Sequence, residues 1–161
     1  VQLDAEGSIQ YGMYYWDDNY PDSHVFAEGE CLRKTFEPDF MLYHTMAVDE
    51  WGHMKGADSA EYANAVAAVG HLIAARMPEW LEKGYQVVVT ADHGMNNLGI
   101  HVGTEYAQRE VALYIFSDKV ENGRFEENYI SQLNVAPMVC RLLGIPAAEG
   151  MKQELEIQLN K

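Results

Sequence analysis

The chain has 161 residues, with 11 Lys and Arg against 25 Asp and Glu, a formal net charge of −14 and 48% hydrophobic residues. Its hydrophobic content can build a core, which excludes the composition typical of a disordered chain. The acidity disfavours binding to a nucleic-acid polymer or to an anionic bilayer, because both carry dense negative charge. The length predicts one domain, and an anionic substrate would require bound cations.

The sequence shows neither a membrane span nor an export signal. The longest apolar stretch, residues 65–75, is interrupted by Gly70 and His71 and is too short to cross a bilayer. The first residues lack the basic and apolar regions of a signal peptide, which leaves the compartment open and slightly favours a cytoplasmic one. Residues 1–21 mix aromatic and acidic side chains without a clear period, which predicts an irregular loop or lid.

The first half of the chain predicts two long helices around one strand. Capping residues and an apolar pattern indicate a helix over residues 22–37. Residues 39–46 form a short, nearly continuous apolar run, which predicts a strand buried on both faces. A pattern like a capping box at Asp58 predicts the start of a helix that extends to Met77. Pro78 interrupts this helix and is expected to start a short second helix that Gly84 ends.

The second half predicts two further strands and one helix. Residues 85–91 and 111–116 are rich in β-branched and aromatic side chains, which indicates buried strands. Gly, Asn and His dominate residues 94–103, which predicts a loop. Residues 134–143 predict a capped helix, with Pro137 tolerated in the first turn.

This alternation of strands and helices predicts an α/β fold with a mainly parallel sheet flanked by helices. The predicted α/β core covers residues 22–146. Residues 147–161 then form a polar, acidic tail. All three segments are expected to belong to one domain.

Two predicted strands are each followed by an acidic residue and a histidine. Asp49 and His53 follow the first strand, and Asp92 and His93 follow the second. In an open α/β sheet ligands gather outside the carboxyl ends of the strands, where both pairs fall. His101, in the glycine-rich loop, is close enough in sequence to reach the same cleft. Carboxylate oxygens and neutral imidazole nitrogens suit Zn²⁺ or a similar first-row metal.

These five residues fit either one ion or two. A tetrahedral zinc would use four of them. Asp92 and His93 are adjacent in the chain and leave the backbone in different directions, which favours a pair of ions. The alternative is that the aspartates cap helices and the histidines are ordinary surface or core groups. The position of both pairs after buried strands favours the metal site.

The other histidines and Glu50 are expected to have ordinary roles. His24 is expected to face solvent, His71 to be a hydrogen-bonded helical residue, and Glu50 to be a surface carboxylate. His44 lies within the first predicted strand and is expected to be buried and paired, with a place in the site as the alternative. No GxGxxG, GxxxxGK[S/T] or GxSxG motif is present.

Several short motifs, in this order along the chain, resemble those of one enzyme family. They are Asp49-x-x-Gly52-His53-x-x-Gly56, Val88-Val89-Thr90-Ala91-Asp92-His93-Gly94-Met95, His101-x-Gly103, Arg109-Glu110-Val111, and Asn134-Val135-Ala136-Pro137 with Leu142-Leu143-Gly144-Ile145-Pro146. Together they resemble the type I phosphodiesterase/nucleotide pyrophosphatase branch of the alkaline phosphatase superfamily, over roughly residues 38–146.

The resemblance implies a partial alkaline-phosphatase-like domain that hydrolyses phosphodiester or pyrophosphate bonds with two Zn²⁺. By position, Asp49, His53 and His101 would hold one ion, and Asp92 and His93 the other. Such enzymes complete the second site with an aspartate and a Thr or Ser nucleophile from the N-terminal half of the domain. No strand with that pattern is visible before residue 38. The chain is therefore expected to be a C-terminal half, with the catalytic nucleophile outside it, and to be inactive alone.

Other functions stay open within the resemblance. The intact protein could act on a phosphonate, phosphomonoester or sulfate, or transfer phosphoethanolamine, and the chain alone could be an inactive metal-binding fragment. Mn²⁺ or another divalent metal suits the same ligands. The expected partners are a small phosphate-ester substrate, the missing N-terminal half, and further copies of the chain through exposed apolar surface.

Overall fold

The computed structural model describes residue 7, residues 9–123 and residues 129–151. These residues form two compact units. The first contains the residues up to Pro78 together with Thr90–Ala112, and the second contains Glu79–Val89 and the residues from Leu113 onward. Residues 1–6 and 8 of the predicted loop or lid, and 152–161 of the predicted tail, lie outside the described residues.

Helix α1 (Asp22–Phe36) confirms the first predicted helix. Its buried residues include Phe26 and Leu32, which belong to the core of the first unit. The Phe26 ring packs against that of Tyr43, with centroids 5.2 Å apart, and the guanidinium of Arg76 lies 5.1 Å from the centroid of the Phe26 ring. Helix α1 therefore anchors chain segments that lie far from it in sequence.

The predicted strand at residues 39–46 is wrong for the described part of the chain. These residues are irregular and join α1 to the next helix. A side-chain contact holds them instead, since Tyr43 donates a hydrogen bond of 3.1 Å to Glu30. Burial, followed by the Glu30 charge, raises the pKa of Tyr43. Phe40 and Leu42 are 55% and 77% exposed. A strand needs a neighbour for its backbone hydrogen bonds, and no described residue pairs with this segment.

Helix α2 (Ala47–Lys55) begins with a cap that comes from elsewhere in the chain. Its N-cap residue, Met46, supplies no side-chain hydrogen bond. The buried Asp22 accepts hydrogen bonds from the backbone N–H groups of Met46 at 3.1 Å and Ala47 at 3.4 Å. A carboxylate at this end satisfies free N–H groups and complements the helix dipole. Asp22 thereby ties α1 to α2.

Two more helices complete the middle of the chain. Helix α3 (Ala60–Ala74) packs on α2 and has Ser59, rather than the predicted Asp58, as its N-cap. Ser59 Oγ accepts the backbone N–H of Tyr62 at 3.1 Å. Helix α4 (Met77–Glu82) follows, as the interruption at Pro78 predicts. No helix in the described ranges has the length and apolar character needed to span a membrane.

The second unit contains the sheet. Strand β1 (Val87–Val89) pairs with β2 (Tyr114–Phe116) in antiparallel register, Val88 opposite Ile115. The prediction of a mainly parallel sheet is therefore wrong for the described residues, which form this one pair. Apolar runs predict that strands are buried, but strand direction depends on which strands become neighbours. The observed fold is a mixture of helices and a small sheet.

The predicted C-terminal helix is confirmed. A 3₁₀ turn (Gln132–Asn134) leads into α6 (Val135–Leu143), with Pro137 in its first turn and Gly144 at its end. Met138 is fully buried. In the first unit, a short helix α5 (Tyr106–Arg109) follows the glycine-rich loop.

We predict that Asp22→Ala lowers the free energy of unfolding by about 1–2 kcal/mol, because the start of α2 loses its cap. Asp22→Asn should lower the free energy of unfolding by less, since the amide oxygen can still accept hydrogen bonds from both N–H groups. Urea denaturation measures both values. The control is Asp18→Ala, which alters an exposed acid. Equal stability of Asp22→Ala and the unchanged protein would contradict the capping role.

Candidate metal centre

Helix α2 places the first two predicted ligands on one face. Asp49 and His53 are four residues apart, which is the spacing that brings helical side chains together. His53 Nε2 lies 3.4 Å from Asp49 Oδ2. The first turn of α2 thus carries the carboxylate and its last turn carries the imidazole.

Gly52 lets the second pair of predicted ligands approach this helix. A Cβ atom at Gly52 would lie 2.7 Å from Cε and 2.9 Å from Cγ of Met95, closer than real Cβ contacts. Met95 is buried and follows His93 by two residues. The absent side chain therefore sets how closely α2 and the segment that carries His93 can pack.

The loop that carries His101 is held by its own polar groups. Asn96 Oδ1 accepts the backbone N–H groups of Leu98 at 3.0 Å and Ile100 at 2.9 Å. Gly99 has φ 72°, and a Cβ atom there would lie 2.6 Å from the carbonyl oxygen of His53. The buried Gln108 donates from Nε2 to the carbonyl of Ile100 at 3.2 Å. These contacts fix the backbone next to His101.

All five predicted residues lie in the first unit, and each lies within 4 Å of another. Asp49 Oδ1 is 3.8 Å from Nε2 of His93 and 3.9 Å from Nε2 of His101. Ligand atoms of these three residues lie within 4.8 Å of one another. The rings of His93 and His101 stack with centroids 3.8 Å apart. Asp92 Oδ2 lies 3.7 Å from His93 Nε2, which connects the remaining aspartate to the cluster.

Backbone carbonyls determine which nitrogen of two histidines faces the cluster. His53 Nδ1 lies 2.8 Å from the carbonyl oxygen of Gly99, and His93 Nδ1 lies 3.0 Å from that of Gly94. A carbonyl only accepts hydrogen bonds, so Nδ1 carries the proton in both rings. In the neutral form Nε2 then directs a lone pair toward the aspartates, as a metal ligand does.

Asp49 provides the test of whether a cation fits here. Its Oδ1 atom is buried and has no hydrogen-bond partner among the described residues. A buried carboxylate oxygen without a partner is costly, and the imidazole lone pairs that face it add repulsion. A divalent cation would satisfy the carboxylate and the imidazoles together. The residues therefore fit a metal ion.

Two more residues lie beside the cluster: Tyr62, which the sequence did not indicate, and His44, for which a place in the site was the alternative prediction. Tyr62 lies near the cluster, and burial and then the Asp49 charge raise its pKa. His44 Nε2 lies 3.9 Å from Asp92 Oδ2. The expectation that His44 is buried is wrong, because its side chain is 54% exposed. The turn pattern of Asn96 and Gly99 is readable from sequence, whereas no local signal marks Gln108.

A cluster of carboxylates and imidazoles from a helix and a neighbouring loop is the kind of arrangement in which phosphoryl-transfer enzymes hold metal ions. The family model for type I phosphodiesterase/nucleotide pyrophosphatase matches residues 13–137, more than half of the chain. The chain belongs to this family, which is part of the alkaline phosphatase superfamily. The family is enzymatic, and its superfamily is typically metal-dependent.

Curated relatives carry a narrower name within the superfamily. The chain is 27% identical to the GPI ethanolamine phosphate transferase 3 catalytic subunit of Mus musculus, over 95% of this chain and 15% of that protein. It is 29% identical to the Homo sapiens protein of that name, over 76% of this chain and 12% of that protein. The chain is 26% identical to the Saccharomyces cerevisiae GPI ethanolamine phosphate transferase 3, over 81% of this chain and 14% of that protein. No solved structure gives a significant match.

We predict that Gly52→Ala lowers the free energy of unfolding by about 1–3 kcal/mol, because the new methyl group overlaps Met95. The matched control is Gly70→Ala in helix α3, where a Cβ atom meets nothing within 4 Å. The free energy of unfolding of that variant should rise by about 0.5–1 kcal/mol, because Ala has a better helix propensity than Gly. Urea denaturation measures both changes. A stabilised Gly52→Ala variant would contradict the close approach of α2 and Met95.

Proposed function

We propose that this chain holds two divalent ions, Zn²⁺ first among them, for an enzyme that cleaves phosphodiester or pyrophosphate bonds. The observation that carries the proposal is the buried, unpartnered Asp49 Oδ1, which faces imidazole nitrogens of His93 and His101. The site residues are Asp49, His53, Asp92, His93 and His101. The Thr or Ser nucleophile is proposed to lie outside these residues, and the chain alone is proposed to be inactive.

The five ligands can be divided between the ions in two ways. The family resemblance assigns Asp49, His53 and His101 to one ion, and Asp92 and His93 to the other. In the described geometry, ligand atoms of Asp49, His93 and His101 lie within 4.8 Å of one another. Since His93 lies between Asp49 and Asp92, it is positioned to complete either ion. Two adjacent positions are therefore proposed, with His93 within 4 Å of both aspartates.

Each residue of the site has a defined task in this mechanism. When bound, divalent ions supply the positive charge that neutralises a phosphoryl group and activates an oxygen nucleophile. Asp49 and Asp92 provide the negative charge that holds such ions in place. His53 and His93 donate from Nδ1 to backbone carbonyls, which fixes their rings with Nε2 toward the site. Asn96 and Gln108 keep the loop of His101 in register.

The curated relatives favour a second reaction, transfer of phosphoethanolamine. Their name describes such a transfer, and 27% identity extends over 95% of this chain. The same metal-ligand set serves both reactions, because hydrolysis and transfer differ in the group that accepts the phosphoryl moiety. The chain spans 15% of the mouse protein, so the acceptor and the substrate pocket of the whole protein are proposals.

We predict that Zn²⁺ stabilises the chain by about 2.7 kcal/mol at a free concentration of about 100 times its Kd. EDTA should reverse this gain. His93→Ala should lose most of it, because this imidazole lies next to both aspartates. The control is His71→Ala on α3, which should retain the gain. Thermal unfolding with and without Zn²⁺ provides the measurement, and an unchanged melting temperature in the unaltered chain would refute the metal proposal.

We predict that the intact protein turns over a phosphodiester in the presence of Zn²⁺, and that His93→Ala lowers kcat/KM at least about 100-fold through loss of charge stabilisation. Two substrates separate the reactions. A nitrophenyl nucleotide ester tests hydrolysis. A phosphoethanolamine diester, offered with and without an alcohol acceptor, tests transfer. Full activity of the His93→Ala protein would eliminate both reactions at this site.

A further inference from the structure

Tyr15 and His44 form a pair at the edge of the candidate metal centre. Tyr15 Oη lies 2.6 Å from His44 Nδ1, and the two rings are nearly parallel with centroids 6.2 Å apart. The other ring nitrogen, His44 Nε2, lies 3.9 Å from Asp92 Oδ2. The imidazole therefore lies between a phenol and a carboxylate, and its two nitrogens meet chemically different partners.

The chemistry of these partners selects one arrangement of protons. The separation of 3.9 Å is too long for a hydrogen bond, but the negative charge of Asp92 favours the tautomer with the proton on the nitrogen that faces it. Nδ1 of the neutral ring is then an acceptor, and the phenol of Tyr15 can donate to it. In the imidazolium form Nε2 is protonated as well. His44 thus presents an N–H group to Asp92 in either protonation state.

The surroundings of Tyr15 favour the phenol as the donor. Burial raises the pKa of Tyr15, and the charges of Asp18, Asp22, Asp92 and Asp49 raise it further. The hydroxyl group therefore keeps its proton at neutral pH. A short hydrogen bond from a neutral phenol to an imidazole nitrogen is consistent with the observed separation of 2.6 Å.

The arrangement at His44 is the opposite of that at His53 and His93. Those two rings donate from Nδ1 to backbone carbonyls and can present a lone pair at Nε2. With its proton on Nε2, the tautomer that the Asp92 charge favours, His44 cannot bind a metal through that nitrogen. The same residue type therefore has two roles in one cluster.

We propose that Tyr15 and His44 are positioning residues that orient the carboxylate of Asp92 for metal binding, and that His44 is not itself a ligand. This inference rests on the proposed function, since the orientation of Asp92 has an effect on metal binding only if the site holds an ion. Asp92 is 68% exposed, so packing alone does not restrict its side chain. Its Oδ1 accepts the backbone N–H of His93 at 3.1 Å. The N–H of His44 attracts the other oxygen across 3.9 Å and favours this orientation of the carboxylate, which lowers the entropy lost when an ion binds.

The first experiment determines the tautomer of His44 in the metal-free chain. We expect ¹⁵N side-chain NMR spectra to show a proton on Nε2 and an acceptor Nδ1. Tyr15→Phe should shift the Nδ1 resonance, because its hydrogen-bond donor is removed. Tyr14→Phe is the control at an exposed neighbouring tyrosine and should leave the spectrum of His44 unchanged. A neutral His44 with its proton on Nδ1 would overturn the pair.

The second experiment measures Zn²⁺ affinity by competition with a chelator. Tyr15→Phe and His44→Ala should each weaken the binding of one ion about 10–100-fold, which is the usual effect of removing a group that orients a ligand. His44→Gln should restore much of the loss, since its amide N–H can reach the place of Nε2–H. Unchanged affinity in both Tyr15→Phe and His44→Ala would overturn the positioning role. Loss of one whole equivalent of Zn²⁺ in His44→Ala, unrescued by Gln, would make His44 a ligand and overturn it too.

These results separate the pair from the proposed function. If the unaltered chain binds no Zn²⁺, the metal proposal fails, and the NMR experiment still decides whether Tyr15 and His44 are arranged as described. If the unaltered chain binds Zn²⁺ and the variants bind it equally well, the metal proposal stands and the positioning role fails. Circular dichroism of each variant verifies that the fold is retained.

Discussion

The close packing of α2 against the segment after His93 is the constraint on which the candidate centre depends. Gly52 has no side chain at the point where Met95 reaches the helix, and a Cβ atom there would lie 2.7 Å from the methionine Cε. Asp49 and His53 lie on either side of Gly52 in the same helix. Any increase in this separation would move the aspartate and histidine of α2 away from His93 and His101. Asp22 fixes the start of the same helix, so its position is set at both places.

Backbone carbonyls and buried charge then give the centre its chemical character. The carbonyls of Gly99 and Gly94 orient the rings of His53 and His93. Asp49 Oδ1 is left buried and without a hydrogen-bond partner among the described residues. In a chain with a net charge of −14, such a carboxylate gains little from distant cations, because opposite charges are few and solvent screens them. A local divalent cation is the arrangement that compensates this charge best.

Predictions from the sequence succeeded where the pattern is local. The helices at Asp22–Phe36 and Val135–Leu143 agree with their predicted spans, because caps, proline positions and apolar spacing act within a few residues. Residues 39–46 show the opposite case. Their apolar run predicted a buried strand, yet Leu42 is 77% exposed and no described residue pairs with the segment. Pairing depends on a second chain segment, and apolar content does not specify it.

By itself, the sequence determined the family motifs, most helices and the five candidate ligands, because each of these depends on residue type and short spacing. Tertiary structure alone decided that the sheet pair is antiparallel, that Asp22 caps α2, and that His44 faces Asp92 while Tyr15 contacts its other nitrogen. These contacts join residues 20 or more positions apart. Their formation depends on how helices and loops pack, and the local energies that a sequence displays do not contain that information.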